Sequence, residues 1–209
     1  MIVWYYIGEE NYPMQNNTTN IEKLALSGKR IFTIEDLAVI WQIPERRRLI
    51  ERIKYYLRAK RLTSIHKGVY AYGEDYTSFD IACKLVPLSY ISLYTACQLY
   101  GLTFQYYKTI YSISLKSKKY KIKEQGYIYH KAKESIFYNQ SDLIQNGRYI
   151  IAGKERTVTD CLYVFPDFAF DNLQGIDKEK LLALSKIYSN NKLEQRVKEL
   201  IADEDHYVK

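Results

Sequence analysis

The sequence predicts an α+β protein in which an N-terminal winged helix-turn-helix is followed by a mixed α/β C-terminal domain. Between residues 20 and 74, three short segments with helical periodicity precede a hairpin. Beyond residue 75, helical segments alternate with stretches in which every second residue is apolar, as in half-buried strands. A chain of 209 residues is long enough for two small domains. We therefore predict a flexible lead-in over 1–19, a winged helix-turn-helix over 20–74 and an α+β domain over 75–209.

The first two helices are short, and each has a local start or stop signal. Apolar residues recur at helical spacing from Asn20, and Ser27-Gly28 ends this first segment. Thr33 is typical of an N-cap, and Asp36 at the third helical position supplies the acidic first turn that the helix dipole favours. A second helix is therefore predicted to begin after Thr33.

A longer third helix and a hairpin complete the N-terminal region. The turn over 41–43 leads to Pro44, which fits the first turn of a helix because its missing N–H would have no partner there. This third helix is predicted to run to about Arg61. Two β-prone runs then flank Lys67-Gly68 and predict a hairpin. Three helices followed by a hairpin is the element order of a winged helix-turn-helix.

Positive charge is concentrated on the third helix. The whole chain carries a formal net charge of +7. The segment from Pro44 to Arg61 contains eight basic and two acidic residues, a net charge of +6. At 100° per residue its apolar side chains fall on one side, which leaves most arginines on the other. Such a helix fits the DNA major groove, where the arginine fork matches two acceptors on guanine. The alternative is a solvated helix face that Glu51 partly neutralises.

Nine residues are predicted to contact double-stranded DNA. Those at the N-terminus of the third helix are best placed for base edges, because recognition helices enter the groove with that end. Those further along the helix are placed for phosphates or along the groove wall, and the two at the hairpin tip for an adjacent phosphate or the minor groove. The predicted set is Arg46, Arg47, Arg48, Arg52, Lys54, Tyr55, Arg58, His66 and Lys67.

The second region combines helices and strands. Helical periodicity, ended in each case by Pro, Gly or polar residues, predicts helices over 79–86, 89–100 and 154–165 and two more over 177–203. Alternation predicts strands over 109–116, 119–124, 127–138 and 148–152, with Gln125-Gly126 as a turn.

Cysteine usage and hydropathy indicate a cytoplasmic protein. Cys83, Cys97 and Cys161 are far apart in apolar stretches, which predicts buried reduced thiols rather than disulfides or a zinc site. No histidine stands at metal-ligand spacing from a cysteine. The N-terminus lacks the features of a signal peptide, and no window approaches the roughly 18–20 apolar residues that a membrane span needs. We expect no metal, no cofactor and no membrane association.

A cluster at 154–160 is the strongest candidate for catalysis. Glu155 and Asp160 are five residues apart on a predicted helix, about 140° around its axis, so they do not share a face. Lys154 and Arg156 stand near the helix start, where cations are disfavoured. Either an anion site or salt bridges to the adjacent sheet would explain them, and we favour salt bridges. Phosphate-binding loops and nucleophile motifs are missing from the sequence. We expect no catalytic residue, although dispersed carboxylates leave a metal-dependent nuclease open.

Tyrosine is unusually frequent, with 22 residues. A protein interface or stacking on nucleobases is one interpretation. A coding sequence rich in A and T, which would enrich Tyr, Lys, Ile and Asn together, is the other.

Several stretches carry a family resemblance. In the N-terminal region they are FTIEDLAVIWQIPERRRLIERIKYYLRAKRL and IHKGVYAYG, and in the second region PLSYISLYTACQLYGLT and YIIAGKERTVTDCLYVF. The arrangement resembles the AbiEi family, the antitoxin-regulators of AbiE-type (type IV) toxin–antitoxin systems, which act in abortive infection. The similarity runs from about Phe32 to Tyr163, and the first twenty residues have no counterpart in the family.

The resemblance implies a DNA-binding antitoxin and transcriptional autorepressor. Such a protein binds repeats in its own promoter and counteracts a nucleotidyltransferase-like toxin encoded beside it, without necessarily holding the toxin in a stable complex. The second region would be needed for neutralisation. Two alternatives remain open: a stand-alone winged-helix regulator whose second domain senses a ligand or mediates dimerisation, and a nucleic-acid-processing enzyme.

Overall fold

Helices and strands are mixed along the chain, which confirms the predicted α+β class. The computed structural model describes residues 19–207, so the predicted flexible lead-in over 1–19 lies outside the described residues except for its last one. The N-terminal region contains, in order, α1 (Asn20–Leu26), β1 (Ile31–Thr33), α2 (Ile34–Trp41), α3 (Arg46–Arg58), β2 (Thr63–His66) and β3 (Val69–Ala71). Its three strands form an antiparallel sheet in the order β1-β3-β2.

Side-chain caps begin both short helices of this region. At α1, the hydroxyl of Thr19 accepts the N–H of Glu22, and the Glu22 carboxylate accepts the N–H of Thr19. At α2, Thr33 and Asp36 form the same reciprocal pair, which confirms the predicted N-cap. Each cap provides acceptors for N–H groups that have no partner within the helix.

Large apolar side chains hold the three helices together. The indole N–H of Trp41 donates to the carbonyl of Asn20 at 2.9 Å, which joins α2 to α1. The Trp41 ring also lies 5.3 Å from that of Tyr56 on α3. The buried side chains of this core are Leu24, Phe32, Leu37, Trp41, Leu49, Ile53, Tyr56 and Leu62.

Three details of the N-terminal region differ from the predictions. The sequence does not predict β1, because three residues are too few to show alternation, and β1 forms by pairing with β3. Pro44 lies before α3 rather than in its first turn, since Gln42 ends α2 in the left-handed conformation (φ 56°) and Glu45 is the N-cap of α3. The end of α3 at Arg58 precedes the predicted end, and Lys60 beyond it is left-handed (φ 54°).

The second region is built on one six-stranded mixed sheet. The elements of this region are α4 (Ser78–Leu85), β4 (Tyr90–Ile91), α5 (Leu93–Leu99), β5 (Ile110–Ser114), β6 (Lys118–Ile122), β7 (Gln125–Lys131), α6 (Glu134–Phe137), β8 (Leu143–Asn146), β9 (Tyr149–Ala152), α7 (Lys154–Val164), α8 (Lys178–Ile187) and α9 (Asn191–Tyr207). The strand order of the sheet is β6-β7-β5-β4-β9-β8, with parallel pairing of β5 to β7 and of β4 to β9 and antiparallel pairing elsewhere. One face packs against α5 to α9, and the other against α4 and the N-terminal sheet. Within residues 19–207, no helix combines the length and the apolar character needed to cross a membrane.

The helix predicted over 89–100 begins as a strand, so that prediction is wrong in its first part. β4 occupies this part, and α5 starts only at Leu93. The N–H of Ser92 donates to the carbonyl of Tyr111 next to β4 in the sheet, which keeps the chain extended up to that point. Both residues of β4 are buried, so no alternating pattern marks the strand.

The remaining elements agree with the predictions except around β6 to β8. The predicted turn at Gln125-Gly126 is wrong, because Lys123 (φ 52°) lies in the turn and Gln125 already begins β7. Gly126 lets the backbone of β7 pass close to the Thr109 side chain, since a Cβ at this position would lie only 2.8 Å from the Thr109 hydroxyl. The strand predicted over 127–138 ends early and gives way to α6, and β8 is an additional strand.

One apolar core crosses the predicted domain boundary. Ile31, Val69 and Ala71 on the N-terminal sheet cluster with buried side chains of α4 and of the six-stranded sheet. Among the latter, the Tyr129 hydroxyl donates to the carbonyl of Ala82 on α4 at 2.7 Å. Residues from both sides of the predicted boundary at residue 74 therefore belong to one core, so the two predicted domains share a buried interface.

Asp36 adds a polar contact between the N-terminal helices and α4. Its carboxylate, with an exposed fraction of 19%, lies 2.8 Å from Lys84 Nζ and 3.6 Å from Lys29 Nζ. Burial raises the pKa of Asp36. Hydrogen bonds from Lys84 and the Thr33 N–H, together with both lysine charges, outweigh burial, so the pKa lies below its ordinary value.

We expect Asp36→Asn to lower the free energy of unfolding by roughly 1–2 kcal/mol at neutral pH, because the amide keeps a cap acceptor but loses both ion pairs. A carboxyl with a lowered pKa stabilises the fold while it is ionised. The contribution is therefore fully present above about pH 4 and lost as the pH falls through the lowered pKa. Urea unfolding of both proteins across this range measures the difference. Glu35→Gln, which removes an exposed charge from the same helical turn, is the control, and a difference independent of pH would contradict the assignment.

Arg156 and Asp160 of α7 form a buried ion pair at the centre of the second region. Arg156 Nε lies 3.5 Å from Asp160 Oδ1, and both side chains are essentially inaccessible to solvent. The guanidinium also donates to three main-chain carbonyls between 136 and 141. The Asp160 carboxylate accepts hydroxyl hydrogen bonds from Tyr90 on β4 and Tyr188 at the end of α8. Four separate segments therefore meet at this pair.

Asp160→Asn should destabilise the protein by roughly 3–5 kcal/mol, because it leaves the Arg156 guanidinium buried without its counter-charge. Tyr188→Phe removes only one hydroxyl donor and should cost about 1 kcal/mol, so it remains measurable if the first variant does not fold. Chemical denaturation followed by circular dichroism gives both values. Glu179→Gln on the exposed face of α8 is the control. Asp160→Asn unfolding at the wild-type denaturant concentration would contradict the structural role.

Candidate nucleic-acid interface

α3 is anchored along one side and exposes the other. Leu49, Ile53 and Tyr56 are buried in the helical core. All seven predicted DNA-contacting residues of this helix are exposed: Arg46, Arg47, Arg48, Arg52, Lys54, Tyr55 and Arg58. The structure therefore separates the core side of α3 from its basic side, as the 100° periodicity predicts.

The N-terminus of α3 carries unusual charge. Its first turn holds three arginines and no acidic residue, although a helix N-terminus favours negative charge. Arg47 Nε lies 3.5 Å from Glu51 and Arg48 Nε 4.0 Å from Glu45, with all four side chains largely exposed. Ion pairs this exposed contribute little to stability. The three arginines therefore lower the stability of α3, and an external anion bound at this end would offset their unfavourable interaction with the helix dipole.

The predicted arginines divide between two surfaces. Arg48, Arg52 and Tyr55 line a groove of about 890 Å³ between α1 and α3, which Glu22 also lines. Arg47, with an exposed fraction of 87%, lies outside this groove. The outer surface presents a guanidinium to solvent, whereas the groove mixes basic, acidic and aromatic side chains.

The hairpin places its two predicted residues differently. Lys67 is exposed in the turn between β2 and β3, where Gly68 adopts a φ of +81°. His66 is half-buried, and its ring packs edge-on against Tyr120 of β6, with 5.3 Å between ring centroids. Lys67 therefore stands at the hairpin tip as predicted, but His66 faces the second region.

The β6–β7 segment is a second basic surface that the sequence predictions missed. Between Lys116 and Lys133 there are seven lysines and one glutamate, a net charge of +6. This equals the net charge of the segment from Pro44 to Arg61. Counting charge along the whole chain, rather than within the predicted third helix alone, would have found it.

The acidic residues of the candidate catalytic cluster have structural partners. Glu155 lies 2.9 Å from Lys180 Nζ on α8, and Lys180 also lies 2.7 Å from Asp142. Burial raises the pKa of Glu155, but the Lys180 hydrogen bond and two backbone N–H donors outweigh it and lower the pKa overall. Burial raises the pKa of Asp160 despite the Arg156 charge. These contacts agree with the salt-bridge interpretation only in part: the ion pairs lie within α7 and between α7 and α8, whereas α7 reaches the sheet through hydrogen bonds with Tyr90 on β4.

The cysteines are free thiols. Cys97 on α5 and Cys161 on α7 are buried with their Sγ atoms 3.4 Å apart, although 64 residues separate them in sequence. Cys83 is half-buried, and burial raises its pKa to about 11. In the part of the chain that the structure describes, no three His, Cys, Asp or Glu side chains are grouped so as to hold a metal ion.

Tyrosines contribute substantially to the core. Tyr90, Tyr127, Tyr129 and Tyr188 are among the largest fully buried side chains. On the face covered by α5 and α7, Tyr94 contacts four further aromatic rings at centroid distances of 4.5–5.1 Å. Much of the tyrosine content therefore fills space between helices and sheet.

Comparison of the chain with protein-family models and with curated proteins gives no match. The AbiEi resemblance accordingly stays a prediction from the sequence.

Proposed function

We propose that the N-terminal region is a winged helix-turn-helix that binds double-stranded DNA, with α3 as its recognition helix. We further propose that the protein is an antitoxin and transcriptional autorepressor of a type IV toxin–antitoxin system. The observation that carries the DNA proposal is the face of α3, where every predicted arginine is exposed opposite a buried apolar side. The element order and the β1-β3-β2 sheet support the winged-helix assignment.

The dimensions and chemistry of α3 suit a major groove. Its 13 residues span about 20 Å, and the groove is about 12 Å wide, enough for one helix. Arginines at its N-terminus present planar forks that match the acceptors of guanine, and Arg47 and Arg48 are free to exchange weak carboxylate partners for DNA. Lys67 in the hairpin turn contacts a neighbouring phosphate in this arrangement.

The antitoxin part of the proposal rests on the second region. Its stretches PLSYISLYTACQLYGLT and YIIAGKERTVTDCLYVF resemble the AbiEi family, and they supply β4, α5, β9 and α7 at the centre of the fold. The expected partners are repeats in its own promoter and a nucleotidyltransferase-like toxin encoded beside it. Direct contact with the toxin is not required by the proposal.

Replacing Arg47 and Arg48 with Ala should abolish retention of the protein's own promoter DNA in a gel shift. Each base contact that the variant cannot make costs roughly 1–3 kcal/mol, so the loss of both lowers affinity by about 30-fold to about 10⁴-fold. Both side chains are exposed, so circular dichroism should be unchanged. Lys192→Ala/Lys198→Ala on α9 removes the same charge elsewhere and should bind normally. Unchanged affinity of the arginine variant would contradict the assignment of α3 as the recognition helix.

Co-expression with the adjacent gene tests the antitoxin role. The neighbour alone should arrest growth of the host, and the wild-type protein should restore it. The Arg47→Ala/Arg48→Ala variant should lose repression of a promoter reporter and still restore growth, because neutralisation is assigned to the second region. A neighbour that is harmless on its own would remove the basis of the antitoxin proposal and favour a stand-alone regulator.

A further inference from the structure

The β6–β7 segment concentrates charge far beyond the average of the chain. The segments 44–61 and 116–133 each carry a net charge of +6, whereas the whole chain carries +7. The rest of the chain therefore carries a net charge of −5. The net positive charge of the chain therefore comes from two segments, and only one of them is α3 with its flanking residues.

The lysines of this segment face solvent with little compensation. All seven between Lys116 and Lys133 are exposed. Lys121 lies 3.5 Å from Glu124, in a pair whose side chains are 68% and 79% exposed. Among the side chains that the structure describes, no carboxylate lies within ion-pairing distance of the other six. Like charges held this close repel one another, so the segment lowers stability unless a polyanion lies against it.

Protection of a sheet edge explains only part of this pattern. β6 is an edge strand, and lysines on edge strands prevent pairing with other chains. Lys131, however, ends β7, which lies between β6 and β5 and has no free edge. Lys116 and Lys133 lie outside the strands altogether. The lysines lie on both faces of the β6–β7 hairpin and beyond its ends, rather than along one strand edge.

The β6–β7 segment adjoins the N-terminal hairpin. The His66 ring at the end of β2 packs on the Tyr120 ring in the middle of β6. Ile65 and Tyr120 also pack on the same core. Successive residues of a strand point to opposite sides, so Lys118 shares the face of Tyr120, whereas Lys119 and Lys121 point to the other face of β6. Lys67 follows His66 directly, so this contact places the exposed Lys67 of the N-terminal hairpin near the β6–β7 segment.

We propose that the β6–β7 segment is a second DNA contact, which binds backbone phosphates beside the site that α3 reads. The proposal rests on the DNA binding proposed above and extends it to the second region. Lysine ammonium groups act as point charges that suit phosphates, whereas the arginine forks on α3 suit base edges. The segment therefore adds affinity and salt dependence without adding sequence preference.

The test compares two full-length variants with equal loss of charge. Lys118→Gln/Lys119→Gln/Lys123→Gln changes the β6–β7 segment, and Lys186→Gln/Lys192→Gln/Lys198→Gln changes exposed positions on α8 and α9. Fluorescence anisotropy measures binding to a duplex of about 40 base pairs from upstream of the protein's own gene, and to a scrambled duplex, between about 50 and 200 mM salt. Thermal melting checks that both variants fold.

The β6–β7 variant should lower the slope of log Kd against log salt by about 0.9 for each phosphate that it no longer neutralises, and weaken binding to both duplexes about equally. The α8–α9 variant should retain the wild-type slope. Equal slopes for all three proteins, or equal reductions in both variants, would overturn the β6–β7 contact while leaving α3 as the recognition helix. If the wild-type protein bound both duplexes with equal affinity, the proposed recognition of the promoter sequence would be wrong, but the β6–β7 contact would not be affected. No binding of any duplex would overturn both.

Discussion

The buried pair of Arg156 and Asp160 is the constraint on which the second region depends. Neither charge is tolerated in an apolar interior alone, so every group that satisfies them must be held in place. Those groups come from β4, from α6 and the chain that follows it, and from the end of α8. They are Tyr90, carbonyls between 136 and 141, and Tyr188. The pair thus fixes α7 against the middle of the six-stranded sheet. The other face of that sheet carries α4 and the N-terminal region.

The proposed recognition helix is attached to this body by both apolar and ionic contacts. The N-terminal sheet shares a core with α4 and with the six-stranded sheet. Asp36 caps α2 and also pairs with Lys84 of α4, so one carboxylate fixes a helix start within its own region and links it to the next. Because α2 and α3 share the helical core, the orientation of α3 relative to the second region is set by these contacts. A DNA-binding surface that includes both regions requires this kind of fixed geometry.

The two basic segments use different side chains on different scaffolds. Arginines stand on a helix, which can enter a groove. The lysines stand around a hairpin that belongs to the six-stranded sheet and can lie along a phosphate backbone. Neither segment is stabilised by its own charge: the first turn of α3 opposes the helix dipole, and the lysines of β6 and β7 repel one another. Both are held by neighbouring apolar contacts, through Ile53 on α3 and Tyr120 on β6. Such unfavourable charge is consistent with a polyanionic partner.

The sequence by itself determined the features whose signals lie within one or two turns of chain. The cap at Thr33, the two sides of α3 and the hairpin at Lys67-Gly68 depend on residues that are near one another in sequence, so periodicity and turn chemistry were sufficient. Only the tertiary structure decided β1 and β4, because these short strands exist through hydrogen bonds to distant segments and show too little alternation to be recognised. β8 pairs with the adjacent β9, but its mostly exposed residues carry no alternating apolar pattern. The tertiary structure alone also decided the His66–Tyr120 contact, which joins the N-terminal hairpin to the β6–β7 segment. Side chains more than fifty residues apart meet there through the packing of two sheets, and no local pattern encodes that packing.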